Sequence, residues 1–118
     1  MSILISITHA DDDADKATVG FVVASAAAAS AQDTTVFLSS NGAYLGKKGE
    51  AGKIHEEGFA PLAELLDGYL EAGGKLLVCS PCAKKRGIGE DDLVEGAQIV
   101  GGGTVVEIMA RGAATLTY

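Results

Sequence analysis

Side chains alternate between the two faces of an extended chain, and the opening residues set Ile3, Ile5 and Ile7 on one side with Leu4 on the other. That pattern predicts a strand covered on both faces. The polar loop Thr8-His9-Ala10-Asp11-Asp12-Asp13 follows, and its acids stand where they would cap a helix running from about Ala14 to Ala31. Val19, Phe21, Val22 and Val23 share that helix with alanines at 14, 17, 24 and 26 to 29. Such a smooth surface suits close packing, and burial on more than one side is expected. Thr34 to Leu38 is β-rich and follows the turn-like Gln32-Asp33, completing a strand-helix-strand unit.

Past Ser39-Ser40-Asn41-Gly42, a Gly-rich stretch carrying Lys47, Lys48 and Lys53 runs to Gly58 without a clear period; it is expected to be mobile and at most briefly helical. Pro61 suits the first turn of a helix reaching about Ala72, with Leu62, Leu65, Leu66, Tyr69 and Leu70 as its inward stripe and Gly73-Gly74 as its stop. Lys75 to Cys79 reads as a third strand, Gln98 to Val100 as a short fourth, Thr104 to Ala110 as a helix and Ala114 to Thr117 as a last strand. This alternation implies an α/β fold on a parallel sheet, with right-handed crossovers carrying helices on both faces. Ligands of open sheets bind beyond the carboxyl ends of the strands, so His9, Asn41 and Cys79 are expected at one rim.

Composition narrows the partners. A chain of 118 residues with 47% hydrophobic and 21% charged residues fits one domain spanning 1–118. Nine basic against sixteen acidic residues give a net charge of −7, which repels phosphate backbones and anionic lipid, so neither nucleic acid nor a membrane is an expected partner. The most apolar run, Val19 to Ala31, is broken by Ser25 and Ser30 and is too short for a hydrocarbon core of about 30 Å. No basic start precedes Ile3-Leu4-Ile5, so a secretory signal is not expected and a cytoplasmic location is. Two cysteines three positions apart do not make a disulfide framework; in a reducing compartment they point to thiol chemistry or metal.

The stretch Cys79-Ser80-Pro81-Cys82-Ala83-Lys84-Lys85-Arg86-Gly87 puts a C-x-x-C beside three cations in an otherwise acidic chain. If this segment opens a helical turn, free backbone N–H groups and the cations favour thiolate over thiol. The expectation is an activated Cys79 at the strand end. Other readings of the same residues are a buried strand-end cysteine with solvated cations beside it, and a zinc site. Zinc needs four ligands and the pair supplies two, with His9 and His55 the only histidines, so no metal is assigned. Nor is the setting that of thioredoxin, whose pair starts a long helix early in a mixed sheet.

Taken together, Ser6-Ile7-Thr8-His9 followed by Asp12, Phe37-Leu38 leading to Asn41-Gly42, Gly58-Phe59 with Pro61-Leu62, and above all Val78-Cys79-Ser80-Pro81-Cys82 through Ile88 resemble the DsrE/DsrF-like family over nearly the whole chain. Asp91-Asp92-Leu93, Glu95-Gly96-Ala97 and Ala114 to Tyr118 extend the likeness in register. The resemblance implies a three-layer α/β/α, Rossmann-like fold with a five-stranded parallel sheet, assembled as a homotrimer or homohexamer. It also implies sulfur relay or thiol-redox work without a cofactor, between protein donors and acceptors of sulfur. In relay members the cysteine at this strand end accepts sulfur as a persulfide, and Cys79 holds that position. Cys82, found in only some relatives, would resolve it. The alternative, of another class, is an oligomeric module binding a small anion or a partner protein without turnover.

Around the pair, His9 is the candidate to exchange a proton with a sulfur species, its ordinary pKa of about 6.5 suiting either direction. Asn41 offers hydrogen bonds and Gly42 a close backbone approach, while Pro81, Lys84 and Arg86 complete the candidate binding set. Asp11, Asp12 and Asp13 read as helix caps, and Gly101-Gly102-Gly103 as the tight start of a helix rather than a phosphate loop, because neither glycine-rich nucleotide pattern is present.

Overall fold

The computed structural model describes residues Ser2–Tyr118. Five strands and four helices alternate along them: β1 (Ser2–Ile7), α1 (Ala14–Ala29), β2 (Asp33–Leu38), α2 (Leu62–Glu71), β3 (Lys75–Cys79), α3 (Ser80–Lys85), β4 (Ala97–Val100), α4 (Gly102–Ala110) and β5 (Ala113–Thr117). All strand pairs are parallel, in the order β4-β3-β2-β1-β5, with helices on both sides. The predicted α/β architecture is therefore the observed one.

Register decides which side chains share a face. Ile7 lies beside Leu38, Leu38 beside Val78, and Val78 beside Ile99, so these four point the same way. That face carries the main core. Gly20 of α1 comes so close to it that a methyl there would stand 2.8 Å from Ile7 Cδ1. Phe21 of α1 and Tyr69 of α2 meet edge to face at 6.0 Å, a geometry that contributes about 0.5–1.5 kcal/mol beyond burial. The Ser25 hydroxyl ties the helices by donating to the Leu65 carbonyl at 3.1 Å. Burial on α1 follows one stripe through Ala17, Gly20, Phe21, Ala24 and Ala28, flanked by Thr18, while Val22 is exposed. This corrects the expectation of burial on several sides: the alanines let α1 sit close to the sheet, and α2 packs along its edge rather than over its back.

The opposite face is more thinly covered. Leu4 and Leu77 are buried there, and α4 crosses it on the way from one sheet edge to the other, since a right-handed connection running against the earlier ones must use the other side. None of α4's nine residues is buried.

The Gly-rich segment expected to be mobile is instead anchored. Short 3-10 turns at Ser40–Gly46 and Ala51–Lys53 bury Leu45, Ala51 and nearby Ile54. Lys48 N–H donates to the Asp92 carbonyl and Val94 N–H to the Gly46 carbonyl, both at 2.8 Å. Apolar residues spaced too irregularly to register as a period are what hold it. Pro61 precedes α2 rather than opening it, with ψ at 138°, and the predicted stripe of α2 faces the core, Leu62, Leu66 and Tyr69 fully and Leu65 and Leu70 in part.

Candidate functional site

Three neighbouring strand ends build one rim. β1 runs into Thr8 and His9, β2 into the Ser40–Gly46 turn, and β3 directly into α3, with Cys79 as the residue between strand and helix. Ser80 and Pro81 form the first turn of α3, where proline's missing N–H is no loss, and Cys82 follows one turn beyond Cys79. Both cysteines are free and half-buried.

The two sulfurs have unlike surroundings. Ser40 N–H donates to Cys82 Sγ at 3.2 Å. To do so Ser40 takes a φ of +52°, a left-handed conformation that costs a residue bearing a Cβ about 1–2 kcal/mol. Arg86 closes the other side. Its Nη1 donates to the Cys82 carbonyl at 3.2 Å, its Nε and Nη2 donate to Asn41 Oδ1 at 3.3 and 3.0 Å, and its guanidinium lies 5.7 Å from the centre of the Tyr44 ring. Asn41 also stands beside the Asp12 carboxylate, which accepts from Ala10 N–H at 2.8 Å and pairs with His9 Nδ1 at 2.8 Å. A continuous polar chain thus leads from His9 through Asp12, Asn41 and Arg86 to Cys82.

Burial pushes the Cys79 thiol up, and the neighbouring Cys82 adds to the rise; the Cys82 N–H and Arg86 oppose it without prevailing. Burial acts on Cys82 in the same sense, but there the Cys79 thiol, the Ser40 N–H, Arg86 and Lys85 outweigh it and the pKa falls below the ordinary thiol value. This corrects the expectation that Cys79 loses its proton easily. The Ser40 N–H reaches the second sulfur, one helical turn farther on, and Arg86 and Lys85 act on it in the same sense, so the surroundings favour the anion at Cys82 over Cys79.

Asp12 is partly desolvated, which raises its pKa, yet the Ala10 N–H, His9 and Asn41 more than compensate and hold it at about 2 against an ordinary 3.8. A depressed carboxylate stabilises the fold above its unfolded pKa, and that contribution disappears as pH falls through the folded one. With the side chain 35% exposed, screening reduces its worth to about 1 kcal/mol. Asp12→Asn is therefore expected to lower the melting temperature at pH 5, and the gap from wild type should close between pH 4 and 2 in a series of thermal melts.

A family model, "DsrE/DsrF-like family", matches residues 1–118. The chain belongs to the DsrE/DsrF-like family. An uncharacterized protein of Methanocaldococcus jannaschii is 34% identical over 104 residues, covering 88% of this chain but 38% of its own length, so the chain spans well under half of that relative. An uncharacterized protein of Methanopyrus kandleri is 30% identical over 97 residues, 82% of this chain and 77% of its own. Among solved structures, the ychN protein from E. coli superposes with a TM-score of 0.81 at 18% identity over the full length of both chains. A protein of unknown function from Methanobacterium thermoautotrophicum gives 0.71 at 19% identity, covering 99% and 98%. At such identities these two structures speak to the fold.

On this DsrE/DsrF-like sheet, the remaining candidate residues divide. His9, Asn41 and Arg86 join the rim, whereas Gly42 lies buried beneath it, packed on the backbone of Ile7 and Thr8. Pro81 and Lys84 are exposed, and the Lys84 side chain forms no hydrogen bond or ion pair among the described residues; Lys85 is the lysine that bears on Cys82. Of the three aspartates, Asp13 caps α1 by accepting from Lys16 N–H at 3.1 Å, as expected, while Asp12 serves the rim. Two contributors had no sequence signal of their own. Ser40 acts through its backbone, and Tyr44 is one aromatic in an aperiodic stretch. Among the described residues no group of three or more His, Cys, Asp and Glu side chains gathers as a metal site, and no helix is long and apolar enough to cross a membrane.

Proposed function

We propose that the Cys79–Cys82 pair handles sulfur by thiol chemistry, receiving sulfane sulfur from a persulfide donor and passing it to an acceptor thiol. The observation that carries this reading is the Ser40 N–H directed onto a half-buried free thiol at 3.2 Å, with a second free thiol within range. A thiolate of the pair attacks the outer sulfur of R–S–SH, forming a cysteine persulfide and releasing R–S⁻. An acceptor thiolate then takes that outer sulfur. Alternatively, the second thiolate of the pair attacks the inner sulfur, giving a Cys79–Cys82 disulfide and HS⁻, and an external dithiol restores both thiols. Free thiols in such a cycle fit a reducing compartment such as the cytoplasm. Reduced protein treated with glutathione persulfide should gain about 32 Da per chain, or release sulfide and lose two hydrogens. Unchanged mass without sulfide would remove the reading.

We also propose that the chain self-associates through α4. Val106 and Met109 on that helix are 64% and 49% exposed, and Glu107 and Arg111 flank them with opposite charges, so a second copy can cover the apolar residues while pairing each acid with a base. Light scattering should give a multiple of 11.9 kDa, and Val106→Asp should shift the mass toward one chain. A monomeric wild type would end this idea.

A further inference from the structure

We infer that Cys82 is the thiol that first takes sulfur, with Cys79 resolving it, and that Arg86 is the residue positioning Cys82 for attack. This rests on the sulfur-handling reading above and reverses the order that position on the strand alone implies. Four features of the rim point the same way. The only strained non-glycine backbone at this rim, Ser40, spends its N–H on Cys82 Sγ. Arg86 grips the carbonyl of Cys82 itself and is locked by two bonds to Asn41 and by the ring of Tyr44. Asn41 is in turn braced by Asp12, which is held by Ala10 and His9. At Cys79 the supporting backbone donor is the N–H of Cys82, and it does not outweigh burial and the neighbouring Cys82 side chain.

The order has chemical consequences. Cys82–S⁻ attacks the outer sulfur of R–S–SH, the bond between the donor's sulfurs breaks, and R–S⁻ leaves, so no external oxidant enters. Cys79, protonated while Cys82 is anionic, is freed once the Cys82 negative charge has moved to the outer sulfur. It then loses its proton to solvent and attacks Cys82 Sγ, expelling HS⁻ and closing the disulfide. The groups setting this order are Arg86 and Lys85 from α3, Cys79 from β3, and the Ser40 amide from the turn after β2, with Asp12 acting at one remove through Asn41.

Reduced wild-type protein treated with less than one equivalent of iodoacetamide at pH 6.5 should carry the label on Cys82, located by fragmentation of the peptide holding both cysteines. A label mainly on Cys79, or spread equally, would overturn the assignment. In a Cys79→Ser background, Arg86→Met should slow Cys82 alkylation at pH 7 about three- to tenfold and move its pH midpoint upward, and Arg86→Lys should recover part of the loss. A folded Arg86→Met protein with an unmoved profile would remove Arg86 from the role. The two proposals fail distinguishably: Cys82 labelled first in a protein that never gains sulfur refutes the transfer and keeps only Cys82 as the more reactive thiol, whereas sulfur first found on Cys79 supports the transfer and overturns the order.

Discussion

Cys82→Ser is expected to abolish sulfur uptake, while Cys79→Ser takes up sulfur and keeps it. After exposure to glutathione persulfide, the first variant should retain its starting mass. The second should carry an increment of about 32 Da that persists until an acceptor thiol is added. The contrast follows from where the anion resides. A serine at 82 removes the sulfur that Ser40 N–H, Lys85 and Arg86 serve, and leaves Cys79 as a half-buried thiol whose ionisation is held back by desolvation. A serine at 79 removes only the group that would attack the new persulfide, so the adduct has no neighbour to release it. Sulfide production should accordingly vanish in both variants for different reasons, and intact mass tells them apart. Uptake by Cys82→Ser with none by Cys79→Ser would restore Cys79 as the receiving sulfur. Parallel far-UV circular dichroism shows whether each variant is folded, and neither substitution changes side-chain volume by much.

The same asymmetry marks how far sequence could be read. Alternating Ile3, Ile5 and Ile7, the β-rich Thr34 to Leu38 and the stripe from Leu62 to Leu70 each announced its element, because burial on one face of a regular element imposes a period. The rim was legible to the extent that it depends on chain position: Cys79 ends β3, His9 and Asn41 lie just past the ends of β1 and β2, and the ends of adjacent parallel strands lie side by side whatever their side chains. What sequence did not show is which sulfur the rim serves. That depends on a serine acting through its amide at φ +52° and on an arginine reaching across 45 residues to Asn41, and neither leaves a spacing. The segment from Lys47 to Gly58 looked mobile for a related reason, since its buried residues Ala51 and Ile54 satisfy tertiary partners and no local period.

Gly42→Ala should be the most damaging single methyl in the turn after β2. An added Cβ would run into the carbonyl oxygen of Ile7, with the Ile7 carbonyl carbon at 2.8 Å and Thr8 Cα at 3.3 Å. Every one of those atoms is backbone, so no side chain can swing away; either β1 or the turn must move. Moving either breaks something else, since the Ile7 carbonyl accepts from Ser39 N–H at 3.1 Å and Gly42 N–H donates to the Ser39 carbonyl at 2.9 Å. The cost is expected to reach about 3 kcal/mol or more, lowering the melting temperature by roughly 10 °C in a domain of this size. Because Ser39 anchors the residue that faces Cys82, the damage should reach chemistry as well: well below its melting point, the variant should alkylate more slowly at pH 7 than wild type. Gly68→Ala supplies the control. That glycine lies in α2, is exposed, and has nothing within 4 Å of the position a methyl would take, so the same substitution should stabilise by about 0.5–1 kcal/mol and leave the thiol unchanged. Equal melting temperatures for the two variants would mean that the turn does not press on β1 as described, and the Ser40 amide would lose the rigid support that its strained conformation requires.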